Sequence, residues 1–386
     1  MNTIARGIKT PIIRKGDNLA QIVADSILKD ASVNNYELND RDIIGITESV
    51  VSISIGNFVD IKDVVTDLNN KFEGDDIGVV FPILSRNRFS IILKAIARAK
   101  KDITIMLSYP NDEVGNPVLD LKVLKDINSN FDLISEEDYL KNFSNFKHPW
   151  TNVNIVDYYR NICLDEKSSV KFVFSNNPED ILKYTKNVLV SDIHTRFETK
   201  EKIRNKDKFS KVYGLDDIST ESINESGFNK KYGLLGSNLA TKDSLKLFPN
   251  ENYELLENIQ NIIYEQTNKK LEILIYGDGA FKDPVSKIWE LADPVVSPFY
   301  TKGLMGSPVE FKLKYLSENE FKNLSKDELE KAIESLRKDK KNNTLSQDSM
   351  LGTTPRRYVD LIGSLCDLVS GSGDKGTPVV LIQNYF

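Results

Sequence analysis

Carboxylates, arginines and glycine-rich turns recur at one kind of place in this chain, directly after short apolar runs. Asp192 follows NVLV (187–190), with His194 and Arg196 close behind it in VSDIHTR (190–196). A carboxylate there can hold a hard divalent cation, and an arginine can fork onto a phosphate or carboxylate. SRNRFS (85–90) places Arg86 and Arg88 at the start of an expected helix, where free N–H groups also favour anions. YGDGAFKDP (276–284) offers Asp278 and Asp283 as oxygen donors suited to Mg²⁺ or Mn²⁺, with Lys282 in the same turn. VSGSGDKGTP (369–378) tempts a P-loop reading. It fails as one, because Lys375 precedes Gly376 and the following strand comes after the loop rather than before it. Successive backbone N–H groups in such a loop can still form an anion nest. Each cluster also has an ordinary reading as a surface ion pair, a β-turn or a helix cap.

Open α/β sheets gather ligands at the carboxyl ends of their strands, so the shared context carries more than any one cluster. The elements expected to supply those ends are strands at 78–83, 103–110, 187–192, 271–278 and 378–382, and helices at 89–101 and 356–369. The N-terminus reads as strand, turn and helix. The β-branched run DIIGITESVVSISIG (42–56) reads as one or two strands. The polar stretches 205–233 and 325–344 read as peripheral connectors, with Ser325 and Glu328 forming a capping box. This alternation predicts mixed sheets flanked by helices.

Composition narrows the chemistry. The chain has 386 residues, 51 Lys+Arg against 57 Asp+Glu, and a net charge of −6. The acidic balance argues against a nucleic-acid partner, and no apolar run is long enough for a bilayer. With no secretory h-region in view, a cytoplasmic location is expected. The two cysteines, Cys163 and Cys366, make no disulfide framework, and the two histidines, His148 and His194, make no zinc site. Metal chemistry therefore falls to oxygen ligands. No G-x-S-x-G motif accompanies His194, which disfavours a hydrolase triad.

Three stretches, in order along the chain, resemble the ligases that add γ-linked glutamate to the deazaflavin coenzyme F-420. They are KTPIIRKGDNLAQIVADSI with LNDRDIIGITESVVSISIGN, then NVLVSDIHTR, then YVDLIGSLCDLVSGSGDKGTPVVLI. The resemblance implies an α+β fold of two interleaved domains, a homodimer, and one catalytic region over 1–386 with enlarged segments at 78–150 and 245–345. It implies GTP- or ATP-dependent amide formation with Mg²⁺ or Mn²⁺, joining L-glutamate to a deazaflavin- or folate-like pterin acceptor through an acyl phosphate. Nucleotide contacts are implied at Thr10, Pro11, Ile12, Ile13, Glu48 and Ser49, and along Ser370, Gly371, Ser372, Gly373, Asp374, Lys375, Gly376 and Thr377. Metal ligands are implied at Asp192, through the Ile193 carbonyl, and at Asn154 beside Asp157. Arg86, Arg88 and Arg196 are expected to hold carboxylates. The family's lysine and arginine fall at Ile53 and Asn57 here. That departure keeps two alternatives open: a nucleotide- and metal-binding protein without ligation, and a phosphohydrolase using Asp192, Asp278 and Asp283.

Overall fold

The computed structural model describes residues 2–85, 88–126, 132–148, 152–277, 281–282, 289–290, 293–308, 313–339, 356–370 and 376–386. Both ends of the chain enter one four-stranded sheet. Its order is Ile4–Ile8, Val379–Gln383, Ile43–Thr47 and Glu272–Tyr276, with the last pair parallel and the others antiparallel. The last three strands are buried on both faces, in keeping with their apolar runs, whereas the edge strand Ile4–Ile8 is mostly exposed or half-buried. On one face, Ile44, Ile46, Ile273, Ile275, Val379 and Leu381 pack against helices Leu19–Asn34 and Tyr253–Thr267. On the other, Ile43, Leu274, Val380 and Ile382 meet helix Tyr358–Ser370. Gly45 makes that second contact close: a Cβ there would lie 2.3 Å from Cys366 Sγ.

A six-stranded sheet is built from one contiguous part of the chain. Its order is Leu133–Ile134, Ser169–Ser175, Asp102–Leu107, Asp76–Val80, Asn187–Val190 and Lys211–Gly214. Only the first pair is antiparallel. Helices Ile61–Lys71, Phe89–Ala99 and Ile155–Asp165 cover one face, over Ile103, Ile105 and Leu107. Helix Arg196–Lys206 and the short turn Pro178–Lys183 cover the other, over Met106, Val173 and Val188. The result is an α+β fold of mixed sheets flanked by helices, as the residue pattern predicts.

Two expectations fail. Of 42–56, only Ile43–Thr47 is strand; Glu48–Ile55 is a helix, closed by Gly56 at φ 68°. Glu48 favours the helix's positive end, and burial of Val51 outweighs the β-branched composition. Nor is 205–233 peripheral. It contributes the edge strand Lys211–Gly214, and Asp216, Ser219, Asn229 and Tyr232 are buried. Polar groups fix it rather than apolar spacing: the Ser219 N–H donates to Asp67 Oδ2 at 2.7 Å, and Asn224 Nδ2 donates to Asp63 Oδ1 at 2.8 Å. The capping box at Ser325 and Glu328 forms as expected.

Candidate functional site

Residues from both chain ends and the middle meet in one cleft of about 780 Å³ beside the four-stranded sheet. Thr10, Pro11, Ile12 and Ile13 line one part of it, leaving the strand Ile4–Ile8. Thr47, Ser49, Val50 and Ile53 come from the strand-to-helix turn at Glu48. Ser370, Gly376 and Thr377 close it from the C-terminal side, with Tyr276 and Gly277 from the adjacent strand end. Thr377 Oγ1 donates to the Ser370 carbonyl at 2.9 Å, and the Thr47 N–H to the Pro378 carbonyl at 3.0 Å. Eight of the residues expected to touch nucleotide thus line one cavity: Thr10, Pro11, Ile12, Ile13, Ser49, Ser370, Gly376 and Thr377. Gly371, Ser372, Gly373, Asp374 and Lys375 lie outside the described residues, as do Arg86, Asp278 and Asp283.

Glu48 departs from its expected role. Its carboxylate turns away from the cleft into a buried ion pair, Lys246 Nζ to Glu48 Oε1 at 2.8 Å. Successive helix residues point about 100° apart, so Ser49 faces the cleft while its neighbour does not. Asn57 is structural: its Nδ2 donates to the Phe248 carbonyl at 2.9 Å, and its Oδ1 accepts from the Phe228 N–H.

Asp192 is not among the cleft-lining residues. It stands at the carboxyl end of strand Asn187–Val190 with a relative exposure of 1%. Its Oδ2 accepts from Thr195 Oγ1 at 2.6 Å and Thr199 Oγ1 at 2.8 Å. Its Oδ1 is buried without a hydrogen-bond partner among the described residues. Burial pushes the carboxyl above the usual aspartate range; the two threonine hydroxyls pull it back, and the nearby Glu113 charge adds to the rise.

Glu113 is the residue that sequence reasoning missed. Its carboxylate accepts from the Ile193, His194 and Thr195 backbone N–H groups at 2.8, 2.7 and 2.8 Å. The Thr195 hydroxyl lies 3.1 Å from Glu113 and 2.6 Å from Asp192. It has one proton, so it can donate to only one of the two carboxylates at a time. Asp112 builds the loop that delivers Glu113. It accepts from the Leu84, Val114 and Asn116 N–H groups and from Asn116 Nδ2. Burial raises the Asp112 carboxyl to about 6 against those four donors. The available signal was NDEVGN (111–116), a polar turn directly after strand Asp102–Leu107, the context shared by the other clusters.

Asn154, expected as the second metal ligand, is instead a helix cap. Its Oδ1 accepts from the Asp157 N–H at 3.1 Å, and its Nδ2 donates to the Ser144 carbonyl. Arg196 does not face a ligand either. Its Nε donates to Asp216 Oδ2 at 2.9 Å, and its Nη1 donates to the Ile193 carbonyl, the group expected to ligate metal. Arg196 therefore acts as a positioning residue for the Asp192 turn. Arg88 pairs with Asp293 at 2.8 Å and lines a cavity of about 30 Å³ with Ser85, Ser191 and Ser237, room for about one water.

Glu113→Gln tests the turn. One amide N–H₂ would replace an acceptor oxygen that now faces backbone donors. We expect a fall of about 1–3 kcal/mol in unfolding free energy, read by urea denaturation. An unchanged midpoint would remove Glu113 from this role.

No group of three or more His, Cys, Asp or Glu that could hold a metal occurs among the described residues. No helix among them is long and apolar enough to cross a membrane. The chain matches no curated protein. A family model described as F420-0:Gamma-glutamyl ligase matches residues 7–384, nearly the whole chain, spanning both the cleft and the Asp192 turn. The chain belongs to this family of γ-glutamyl ligases, and is an enzyme of the ligase class.

Proposed function

We propose that the chain forms an amide between L-glutamate and a carboxylate of a deazaflavin- or pterin-type acceptor, driven by GTP or ATP. The observation that carries this reading is the convergence of Thr10–Ile13, Ser49, Ser370 and Gly376–Thr377 on one cleft. Its volume lies within the roughly 300–1,000 Å³ common to ligand sites. Hydroxyls of Thr10, Ser49 and Thr377 and the backbone at Gly376 are suited to phosphate oxygens.

The proposed reaction has two steps. An oxygen of the acceptor carboxylate attacks the terminal phosphorus, giving an acyl phosphate and a nucleoside diphosphate. The glutamate amine then attacks the acyl carbon, phosphate leaves with the C–O electron pair, and the amine loses a proton. Asp192 and Glu113 suit a hard divalent cation: both offer oxygen, and one Asp192 oxygen is buried with no hydrogen-bond partner among the described residues. When bound, such an ion would offset phosphate charge. The Arg196 contact occupies the Ile193 carbonyl, which leaves the Asp192 carboxylate as the oxygen donor of that turn.

The test is direct. Purified protein receives GTP or ATP, Mg²⁺ or Mn²⁺, L-glutamate and a deazaflavin or pteroate acceptor. The expected product is the acceptor carrying one added glutamyl group, with a heavy-oxygen label moving from the acceptor carboxylate to phosphate. Nucleotide binding with no glutamyl product would sink the proposal. Phosphate release independent of glutamate would favour a phosphohydrolase.

A further inference from the structure

A second cavity, of about 380 Å³, opens at the other end of the strand Glu272–Tyr276 from the cleft. Tyr276 lines the cleft and Glu272 lines this cavity, about 13 Å back along the strand. Its walls come from helix Tyr253–Thr267 and the turn at Lys302–Leu304. Glu272 is 7% exposed. A carboxylate buried this far costs free energy unless a cation or several donors meet it. Here Oε2 accepts from the Thr301 hydroxyl, and Oε1 has no hydrogen-bond partner among the described residues. No Lys or Arg among them pairs with either oxygen. Gly303 gives Oε1 its room, because a Cβ there would overlap that oxygen.

The rest of the cavity is sorted by charge. Tyr253, Leu256 and Tyr300 supply aromatic and aliphatic wall. Lys270 and Lys302 line the mouth, exposed, and neither pairs with a carboxylate among the described residues. Lys270 and Glu272 are two residues apart in extended chain, so they share a face. The Lys270 N–H donates to Asp40 Oδ1 at 2.8 Å, which fixes the backbone there. Glu257 also lines the cavity but is exposed on its helix, where water and salt screen it. A simple amine would meet Glu272 but be repelled by the two lysines. A simple acid would meet the lysines but be repelled by Glu272. A molecule with both groups on one carbon, and an apolar side chain, satisfies the acid, the lysines and the wall together.

We propose that this cavity binds an α-amino acid with an aromatic or branched apolar side chain. Its ammonium sits on Glu272 Oε1, its carboxylate faces Lys270 and Lys302, and its side chain lies among Tyr253, Leu256 and Tyr300. The tyrosine faces also favour the ammonium. The cavity shares no lining residue with the cleft, so the proposal does not depend on the ligase reading.

Isothermal titration calorimetry on the intact protein would use L-phenylalanine, L-leucine, L-glutamate, phenethylamine and 3-phenylpropionate. The wild type should bind L-phenylalanine or L-leucine with a dissociation constant below about 1 mM. That binding should be about tenfold tighter than for L-glutamate or for either analogue lacking one charged group. Glu272→Gln keeps an acceptor for Thr301 and should weaken the amino acid about tenfold, with 3-phenylpropionate bound as well as before or better. Lys302→Glu, a change at an exposed position, should shift the ratio of L-phenylalanine to phenethylamine affinity about tenfold toward the amine. A gain for the amine cannot come from misfolding. No binding of either apolar amino acid below about 10 mM overturns the assignment. So do tighter binding of L-glutamate, tighter wild-type binding of either analogue, and affinities that neither variant moves.

Discussion

Asp192→Asn should abolish glutamyl transfer while leaving the protein folded. The amide oxygen can still accept from the Thr195 and Thr199 hydroxyls, which lie 2.6 and 2.8 Å from Oδ2. What disappears is the charge on Oδ1, the buried oxygen with no partner among the described residues. A buried carboxylate costs more than a buried amide, so the thermal midpoint should equal or exceed that of the wild type. The rate of glutamyl product formation should fall by about a hundred- to a thousandfold, the range seen when one preorganised electrostatic group is removed. Product mass and thermal melts on the same preparation check both halves. A variant that makes product at the wild-type rate removes Asp192 from the reaction. A variant that is inactive and also unfolded would show that the residue serves the fold instead.

The cleft was legible because its residues sit at strand ends and turns whose apolar flanks are strong. Thr10–Ile13 follow the strand Ile4–Ile8, and Gly376–Thr377 precede Val379–Gln383. Local pattern places such residues at a sheet edge, and the pairing of the two strands brings them together. Glu48 was misplaced because 42–56 reads as strand, whereas the helix at Glu48–Ile55 swings adjacent residues to different faces. Asn154 sits in a stretch that matches a motif locally, yet asparagine there does what it commonly does before a helix. Glu113 was invisible for a different reason. Nothing in NDEVGN says which strand end the loop crosses, and only the parallel sheet order brings it over the Asp192 turn. The inward turn of Arg196 depends likewise on Asp216, which belongs to a segment that reads as a polar connector.

Asp216→Ala should be among the most destabilising single changes in the protein. Arg196 Nε and Lys200 Nζ both donate to this one carboxylate, at 2.9 Å each, and the side chains of all three are close to fully buried. Lys200 keeps a second contact with Asp217 at 3.1 Å, but that carboxylate is partly in water. Removing Asp216 leaves two cations in the interior with one exposed counter-charge, a loss of about 3–5 kcal/mol. Asp216→Asn retains an acceptor and should lose less. The substitution should also reach the site, because Arg196 would no longer be held against the Ile193 carbonyl beside Asp192. A triple variant, Arg196→Met, Lys200→Met and Asp216→Leu, separates the two effects. Apolar replacement of a whole buried ion cluster is often neutral or stabilising, so urea midpoints should recover while glutamyl transfer stays low. If the single variant shifts stability by less than about 1 kcal/mol, the cluster is solvated and the argument fails. If the triple variant regains full activity, Arg196 does not position the Asp192 turn.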